Sequence, residues 1–411
     1  MCSGAVRLTR RSLAKAARLD PGSRRRYSQG MQDWVNSRLA ELAAKGLLRE
    51  PADSGLHLSR PGADSDWLDA CSNDYLGLGA RGVSRETLDA LAGSRAGAGA
   101  SRLVQGTFAE HEALEQELAV WLGTEACLLT LSGFAANVGL IPAIADADSL
   151  VVSDALNHAS IVDGCRLARA RVVVTPHLEL AAIEQALKTH SGSAPAWVVI
   201  EGLFSMDGDS PELPALRAVC DRYGAGLVVD EAHSLGVFGP GGAGRAAAQS
   251  VKADVLVAGL GKAVGAQGGL LACSESVRTW VWNRARSFVF STAPSPALCR
   301  LTLAQVHAAR AADPERQRLA ARSAELRGAL ASHGLPTVPG ATGPILPVVL
   351  GSNERALGAM HELRRRGILA QAIRPPTVPA GAARLRLTAH ADWPDDAVPR
   401  IIEALEAACA S

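Results

Sequence analysis

Apolar residues along this chain fall in two rhythms, short continuous runs and helix-spaced positions, and the two alternate. MQDWVNSRLAELAAKGLL, opening at Met31, places Trp34, Val35, Leu39, Leu42 and Leu47 at near-helical spacing and predicts an amphipathic helix. A polar stretch, Pro51 to Asp66, follows it. Between about Asp74 and Arg310, β-rich runs alternate with helical stretches. Strands are expected at Cys127–Leu131, Leu150–Ser153, Arg171–Thr175, Trp197–Ile200, Gly226–Asp230, Asp254–Ala258 and Gly269–Cys273. Unbroken runs such as Leu227-Val228-Val229 and Val255-Leu256-Val257 suit strands buried on both faces. Strand–helix alternation of this kind predicts an α/β fold with a mostly parallel sheet covered by helices.

Beyond a helical segment from Pro314 to His333 the rhythm changes. Pro344–Gly351, Ile368–Ile373 and Ala383–Thr388 are expected strands of a small α+β lobe, closed by a helix from Asp395 to Cys409. The expected organisation is a leader (1–30), an N-terminal helix and short segment (31–75), a large domain (76–310) and a small C-terminal domain (311–411). A chain of 411 residues, 48% of them hydrophobic, is long and apolar enough for that arrangement.

Charge narrows the partners. A formal net charge of +1 gives no electrostatic reason to expect nucleic acid or an anionic membrane. No apolar run approaches the roughly 18 residues of a spanning helix. The eight cysteines are scattered, without a C-x-x-C pair or histidines at zinc spacing, so reduced structural thiols in a cytoplasmic protein are expected and no metal site. Only the leader is lopsided: Arg7, Arg10, Arg11, Lys15, Arg18 and Arg24 to Arg26 face one acid, Asp20. It is expected to be a disordered tail, or to precede a true start at Met31.

Ligands of doubly wound sheets collect beyond the carboxyl ends of the strands, and polar residues cluster there. Asp230-Glu231-Ala232-His233 follows one buried run. An acid in that place serves as a helix cap, a metal ligand or the partner of a cofactor's pyridine nitrogen. Gly259-Leu260-Gly261-Lys262 follows the next. Lysines are usually solvated, but flanking glycines allow close approach to a ligand, and a desolvated lysine can form a Schiff base. Ser132-Gly133-Phe134-Ala135-Ala136-Asn137 opens a helix whose backbone amides suit an anion such as phosphate. In Asn157-His158-Ala159-Ser160 the imidazole is either structural or stacked on an aromatic cofactor. Glu201 and Ser205, loop hydrogen-bonders otherwise, complete a polar ring.

Together these motifs resemble the α-oxoamine synthases, a family of pyridoxal 5'-phosphate (PLP) enzymes of fold type I. The resemblance rests on the order and spacing of SNDYLGL (Ser72–Leu78), GAGASRLVQGTFAEHEALE (Gly97–Glu115), SGFAAN, LNHAS, EGLFSMDGD, VVDEAHSLGVFG, GLGKAVG and FSTAPSP. It runs from about Met31 to the C-terminus. It implies a homodimer in which Lys262 carries PLP as a Schiff base and later moves the proton. It further implies that Asp230 pairs with the pyridinium nitrogen, that His233 and Ser205 surround the phenolic oxygen, and that His158 stacks on the ring beside Glu201. Gly133 and Phe134 would meet the phosphate by their amides, and Thr292 the phosphate of the neighbouring subunit. Asn73 and Arg386 would bind carboxylate or carbonyl groups of the bound amino acid.

The segment AIRPPTVPAGAARLRLT (Ala372–Thr388), with Arg374 and Thr377, resembles the branch that condenses L-alanine with a pimeloyl thioester of CoA or acyl carrier protein in biotin synthesis. Branches that use glycine or serine with acetyl, succinyl or palmitoyl thioesters share nearly every cofactor residue. An aminotransferase of the same fold type is a more distant reading. A non-catalytic subunit should lack the lysine or carry a DNA-binding domain. Two positions depart from the family: Gly259 stands where threonine or serine is usual, and Ala100 interrupts the glycine run before Ser101-Arg102.

Overall fold

The computed structural model describes residues 21–49, 67–190 and 194–410. Seven strands form the central sheet: β2 (Ala126–Thr130), β3 (Leu150–Asp154), β4 (Arg171–Thr175), β5 (Ala196–Glu201), β6 (Gly226–Asp230), β7 (Val255–Gly259) and β8 (Gly269–Cys273), numbered after a short β1 (Leu68–Asp69). Their order is β2-β8-β7-β6-β5-β3-β4. Pairs from β4 through to β7 are parallel, and β8 runs antiparallel to both β7 and β2. Every strand but β8 therefore ends on the same edge, where the polar motifs lie.

The period-2 alternation of strand side chains divides the core. Leu128, Val151, Val199, Val228, Val257 and Leu271 pack with Ala136, Leu140 and Ile161 of the Gly133–Ile144 and Ala159–Ala168 helices. Leu129, Val152, Ile200, Leu227, Val229 and Leu270 pack on the other face, in a core that continues into the C-terminal lobe. Burial on both faces is why these segments lack a polar alternation.

The C-terminal lobe holds β9 (Ile345–Gly351), β10 (Ile368–Leu369), β11 (Gln371–Ile373) and β12 (Ala383–Thr388), with helices Asp313–Ser332, Asn353–Arg365 and Ala397–Ala410. A three-stranded antiparallel sheet runs β11-β12-β9, while β10 pairs in parallel with β1. The single strand expected over Ile368–Ile373 is thus two, because its halves pair with different partners.

The N-terminal helix is Pro21–Ala44, so it opens ten residues before the expected Met31. Proline suits a first turn, where its missing N–H is no loss. The helix thus covers residues 21–30 of the expected leader, while residues 1–20 lie outside the described residues, as does the expected spacer Pro51–Asp66. Met31, Trp34, Val35, Leu39 and Leu42 are exposed along it. Among the described residues no helix is long and apolar enough to cross a membrane. Cys127, Cys165, Cys220, Cys273 and Cys299 are buried unpaired thiols.

Candidate active site

The strand ends converge on Lys262. Its Nζ lies 2.8 Å from His233 Nε2, and the other ring nitrogen, Nδ1, lies 2.7 Å from the Tyr75 hydroxyl. Burial lowers the Lys262 ammonium to about 8, against the opposing pull of the Asp230 and Glu201 carboxylates. Burial, with Lys262 and Arg386 as positive neighbours, drives His233 well below the ordinary range, so its imidazole is neutral. A neutral ring has one donor and one acceptor. The lysine can only donate to Nε2, which assigns the proton to Nδ1 and the bond Nδ1–H to the Tyr75 oxygen. Tyr75, fully buried, donates in turn to Asn73 Oδ1 at 3.1 Å.

Arg386, on β12, reaches the same group from the C-terminal lobe. Its Nε donates to the Ser205 carbonyl at 2.5 Å, and its Nη2 to Asn73 Oδ1 at 3.0 Å and the Tyr75 hydroxyl at 3.4 Å. A guanidinium fixed by one edge keeps the rest of its fork for a ligand's carboxylate.

Asp230 closes β6 and is held from two sides. Asn137 Nδ2 donates to its Oδ2 at 2.7 Å, and the Ala232 amide to its Oδ1 at 2.9 Å. Asn137 sits on the Gly133–Ile144 helix and also donates to Ser160 Oγ at 3.0 Å. Ser160 Oγ lies 2.8 Å from His158 Nδ1, fixing that ring at the start of the next helix, with Phe134 edge-on at 6.4 Å. Burial lowers His158 too, Lys262 adding to the effect and Asp230 opposing it. Glu201, ending β5, is pushed up to about 8 by burial and then by Asp230, against Lys262 and the backbone amides of His158 and Ser205.

The Gly133–Ile144 helix begins against the lysine loop. A Cβ on Gly133 would stand 3.3 Å from both Cα and N of Gly259, so glycine is what allows that approach. Ser132 Oγ takes the Ala135 amide and the Ser132 carbonyl takes that of Ala136. The amides of Gly133 and Phe134 are left at the helix end.

The remaining predicted residues lie apart. Thr292 is exposed and bridges Ser101 in an isolated antiparallel pair. Arg374 is buried and donates to the Gly46 carbonyl beyond the N-terminal helix, while Thr377 accepts from Arg49 at 3.4 Å. Among the described residues no hydrogen bond links these two to Lys262. Tyr75 and Asn137 also belong to this group; they sit inside SNDYLGL and SGFAAN, but neither carries a local signal of its role.

The aminotransferase class I and II family model matches residues 65–405. The 8-amino-7-oxononanoate synthase of Anaeromyxobacter dehalogenans is 43% identical over 369 residues, 89% of this chain and 92% of that relative. That of Geobacter sulfurreducens is 45% identical over 347 residues, 82% of this chain and 87% of the relative. The solved serine palmitoyltransferase of S. paucimobilis with PLP and myriocin bound has a TM-score of 0.82 at 27% identity, covering 92% of this chain and 97% of that one. With a site of this geometry and similarity of this extent, the chain belongs to the aminotransferase class I and II family, in its α-oxoamine synthase branch.

Proposed function

We propose that this chain condenses L-alanine with a pimeloyl thioester, carried on CoA or acyl carrier protein, releasing 8-amino-7-oxononanoate, CO₂ and the free thiol. Lys262 Nζ would hold PLP covalently. The observation that carries the reading is this amine: half-buried, lowered to about 8, hydrogen-bonded to a neutral histidine and in the field of Asp230, in a chain 43% identical to a curated 8-amino-7-oxononanoate synthase.

The residues fit the cofactor. Glu201 Oε1 and Asn137 Oδ1 are buried oxygens without a partner, beside a carboxylate already fixed in direction. Buried polar atoms of that kind call for a polar ligand. Asp230 would pair with the ring nitrogen, His158 would stack on the ring, and Ser205 and His233 would take the phenolic oxygen, with the phosphate on the amides of Gly133 and Phe134. Bound PLP supplies an electron sink for the carbon that loses its proton.

Asp230 cannot swing away from its task, because Asn137 and the Ala232 amide occupy its other lone pairs. Arg386 and Asn73 orient the alanine carboxylate. Lys262, as an amine near neutrality, lifts the α-proton and returns a proton to the product carbon. Arg374 and Thr377 sit on the segment proposed to select the pimeloyl chain.

A cytoplasmic homodimer completes the reading. Exposed Leu103, Val104 and Phe290 flank the Ser101–Thr292 bridge, an apolar surface suited to a second copy that brings Thr292 to the neighbouring phosphate. An active monomer in light scattering overturns the shared site. For the reaction, purified enzyme is assayed with alanine, glycine or serine against pimeloyl-, acetyl-, succinyl- and palmitoyl-CoA. Alanine with the pimeloyl thioester is expected to dominate, and comparable turnover of glycine with acetyl-CoA moves the chain to a sibling branch.

A further inference from the structure

A second charged node lies beside the Lys262 group and takes no part in the chemistry above. His177, just beyond β4, has Nδ1 2.8 Å from Asp154 Oδ1 and Nε2 2.9 Å from Asp209 Oδ2. Carboxylates on both ring nitrogens require both to carry protons, so the ring is an imidazolium. Its edge meets Phe204, with centroids 4.5 Å apart and planes at 89°. Asp154 closes β3 and also takes the amides of Leu156 and Leu178, each at 2.8 Å.

Asp209 belongs to the Gly202–Ser210 loop that leaves β5. The loop is closed on itself: the Phe204 amide donates to the Asp209 carbonyl at 2.9 Å, and Ser210 Oγ to the Gly202 carbonyl at 2.7 Å. Gly208, with φ +73°, turns it against β9, where a Cβ would stand 2.3 Å from the Ile345 carbonyl oxygen. From β12, Arg384 pairs with Asp207 and Arg386 bonds the Ser205 carbonyl. The loop is thus pinned by His177 on the sheet side and by two arginines on the other.

We propose that His177 is a positioning residue: its clamp on Asp154 and Asp209 fixes the Gly202–Ser210 loop, and the Ser205 carbonyl then fixes the direction in which Arg386 presents its guanidinium to the amino-acid carboxylate. The inference rests on the proposed role of Arg386 and adds what sets that arginine's aim. Burial works against a charged His177, yet the bonds to Asp154 and Asp209 raise it to about 10, so the clamp is intact at neutral pH. Ligand atoms of His177, Asp207 and Asp209 lie within 4.8 Å of one another, close enough to hold a metal ion. Here both imidazole nitrogens donate to carboxylates and Asp207 is paired with Arg384, while Asp209 Oδ1 is a buried oxygen without a partner.

The test compares wild type, His177→Gln and His177→Arg as holoenzymes, by PLP content, melting temperature and the L-alanine dissociation constant read from the absorbance of bound PLP. His177→Gln is expected to keep its PLP within about twofold while its alanine constant rises about tenfold, the size of one lost charge-assisted bond. His177→Arg keeps a cation with several donors between the carboxylates and should recover to within about threefold. A merely structural histidine moves the melting temperature alone. Should His177→Gln fail to accumulate, Asp154→Asn/His177→Gln, which removes one of the two carboxylate charges left without a cation, carries the same expectation. An alanine constant unchanged in the variant overturns the inference, as does one that follows added Zn²⁺ or EDTA. A wild type whose spectrum ignores alanine overturns the proposed function itself, and this inference with it.

Discussion

Tyr75 and His233 lie 158 residues apart in sequence, yet the tyrosine hydroxyl stands 2.7 Å from the imidazole Nδ1 inside a fully buried contact. The relationship sets a direction along a chain of bonds, from Lys262 to His233, from His233 to Tyr75 and from Tyr75 to Asn73. Tyr75→Phe strands the Nδ1–H of His233 without an acceptor. A buried donor left unmade costs about 1–3 kcal/mol. The expected outcome is a lower apoenzyme melting temperature and about a tenfold fall in kcat/KM, with PLP still bound covalently. Wild-type stability and turnover in Tyr75→Phe would refute the chain.

The depressed lysine makes a kinetic prediction for the apoenzyme. PLP is captured by the neutral amine, so capture should accelerate as pH rises through about 8, more than two units below an ordinary lysine. Stopped-flow absorbance at a series of pH values measures it. A midpoint near 10 means the amine is solvated, and Lys262→Ala should abolish the covalent phase altogether. Borohydride reduction followed by peptide mapping should place the label on Lys262.

His177 predicts how stability depends on pH. Its folded value, about 10, lies above the ordinary 6.5. A group raised in the folded state stabilises fully below its unfolded value and loses that contribution as pH rises through the folded one. The gap in melting temperature between wild type and His177→Gln should therefore be widest near pH 6 and shrink steadily towards pH 10. A gap independent of pH across this window would show that His177 is not held as a cation by Asp154 and Asp209.

The large sheet was legible because its strands are continuous Val, Leu and Ile runs cut by glycine or aspartate. The bounds of β4, β6, β8 and β12 match the sequence expectation, and those of β2, β3, β5, β7 and β9 differ by one residue at one or both ends. Lys262, Asp230, His233 and Glu201 were legible for the same reason, as polar residues abutting such runs. Tyr75 and Asn137 were not singled out, because a buried tyrosine and a helical asparagine take their roles from partners at His233 and Asp230, far away in sequence. His177 carries no local signal in TPHLEL, since its carboxylates come from the end of β3 and from the Gly202–Ser210 loop. The break at Ala370 was hidden likewise: only the pairing of β10 with β1, some 300 residues earlier, interrupts the strand.

Gly259 offers the sharpest test of the phosphate end. The family usually has threonine or serine at this place, whose hydroxyl would donate to the phosphate, and one reason for a glycine would be a crowded or left-handed backbone. Neither holds at this position. Gly259 does not have a left-handed φ, and a Cβ built on it meets nothing nearer than the Gly133 amide nitrogen at 4.0 Å. The close approach is felt at Gly133, whose Cβ would press on Gly259 at 3.3 Å, so the constraint falls on the helix and not on the strand end. A Cβ at 259 is therefore accommodated, beside the Gly133 amide. A charge-assisted bond from a threonine hydroxyl is worth about 1.5–3 kcal/mol, or roughly ten- to a hundredfold in affinity. Gly259→Thr should bind PLP more tightly and raise the melting temperature of the holoenzyme while leaving the apoenzyme almost unmoved. Gly133→Ala, the matched control, should weaken PLP binding by pushing the helix end off the lysine loop. The dissociation constants for PLP of the three proteins decide the matter, and a constant unchanged or weaker in Gly259→Thr means that the missing hydroxyl is not what limits phosphate affinity.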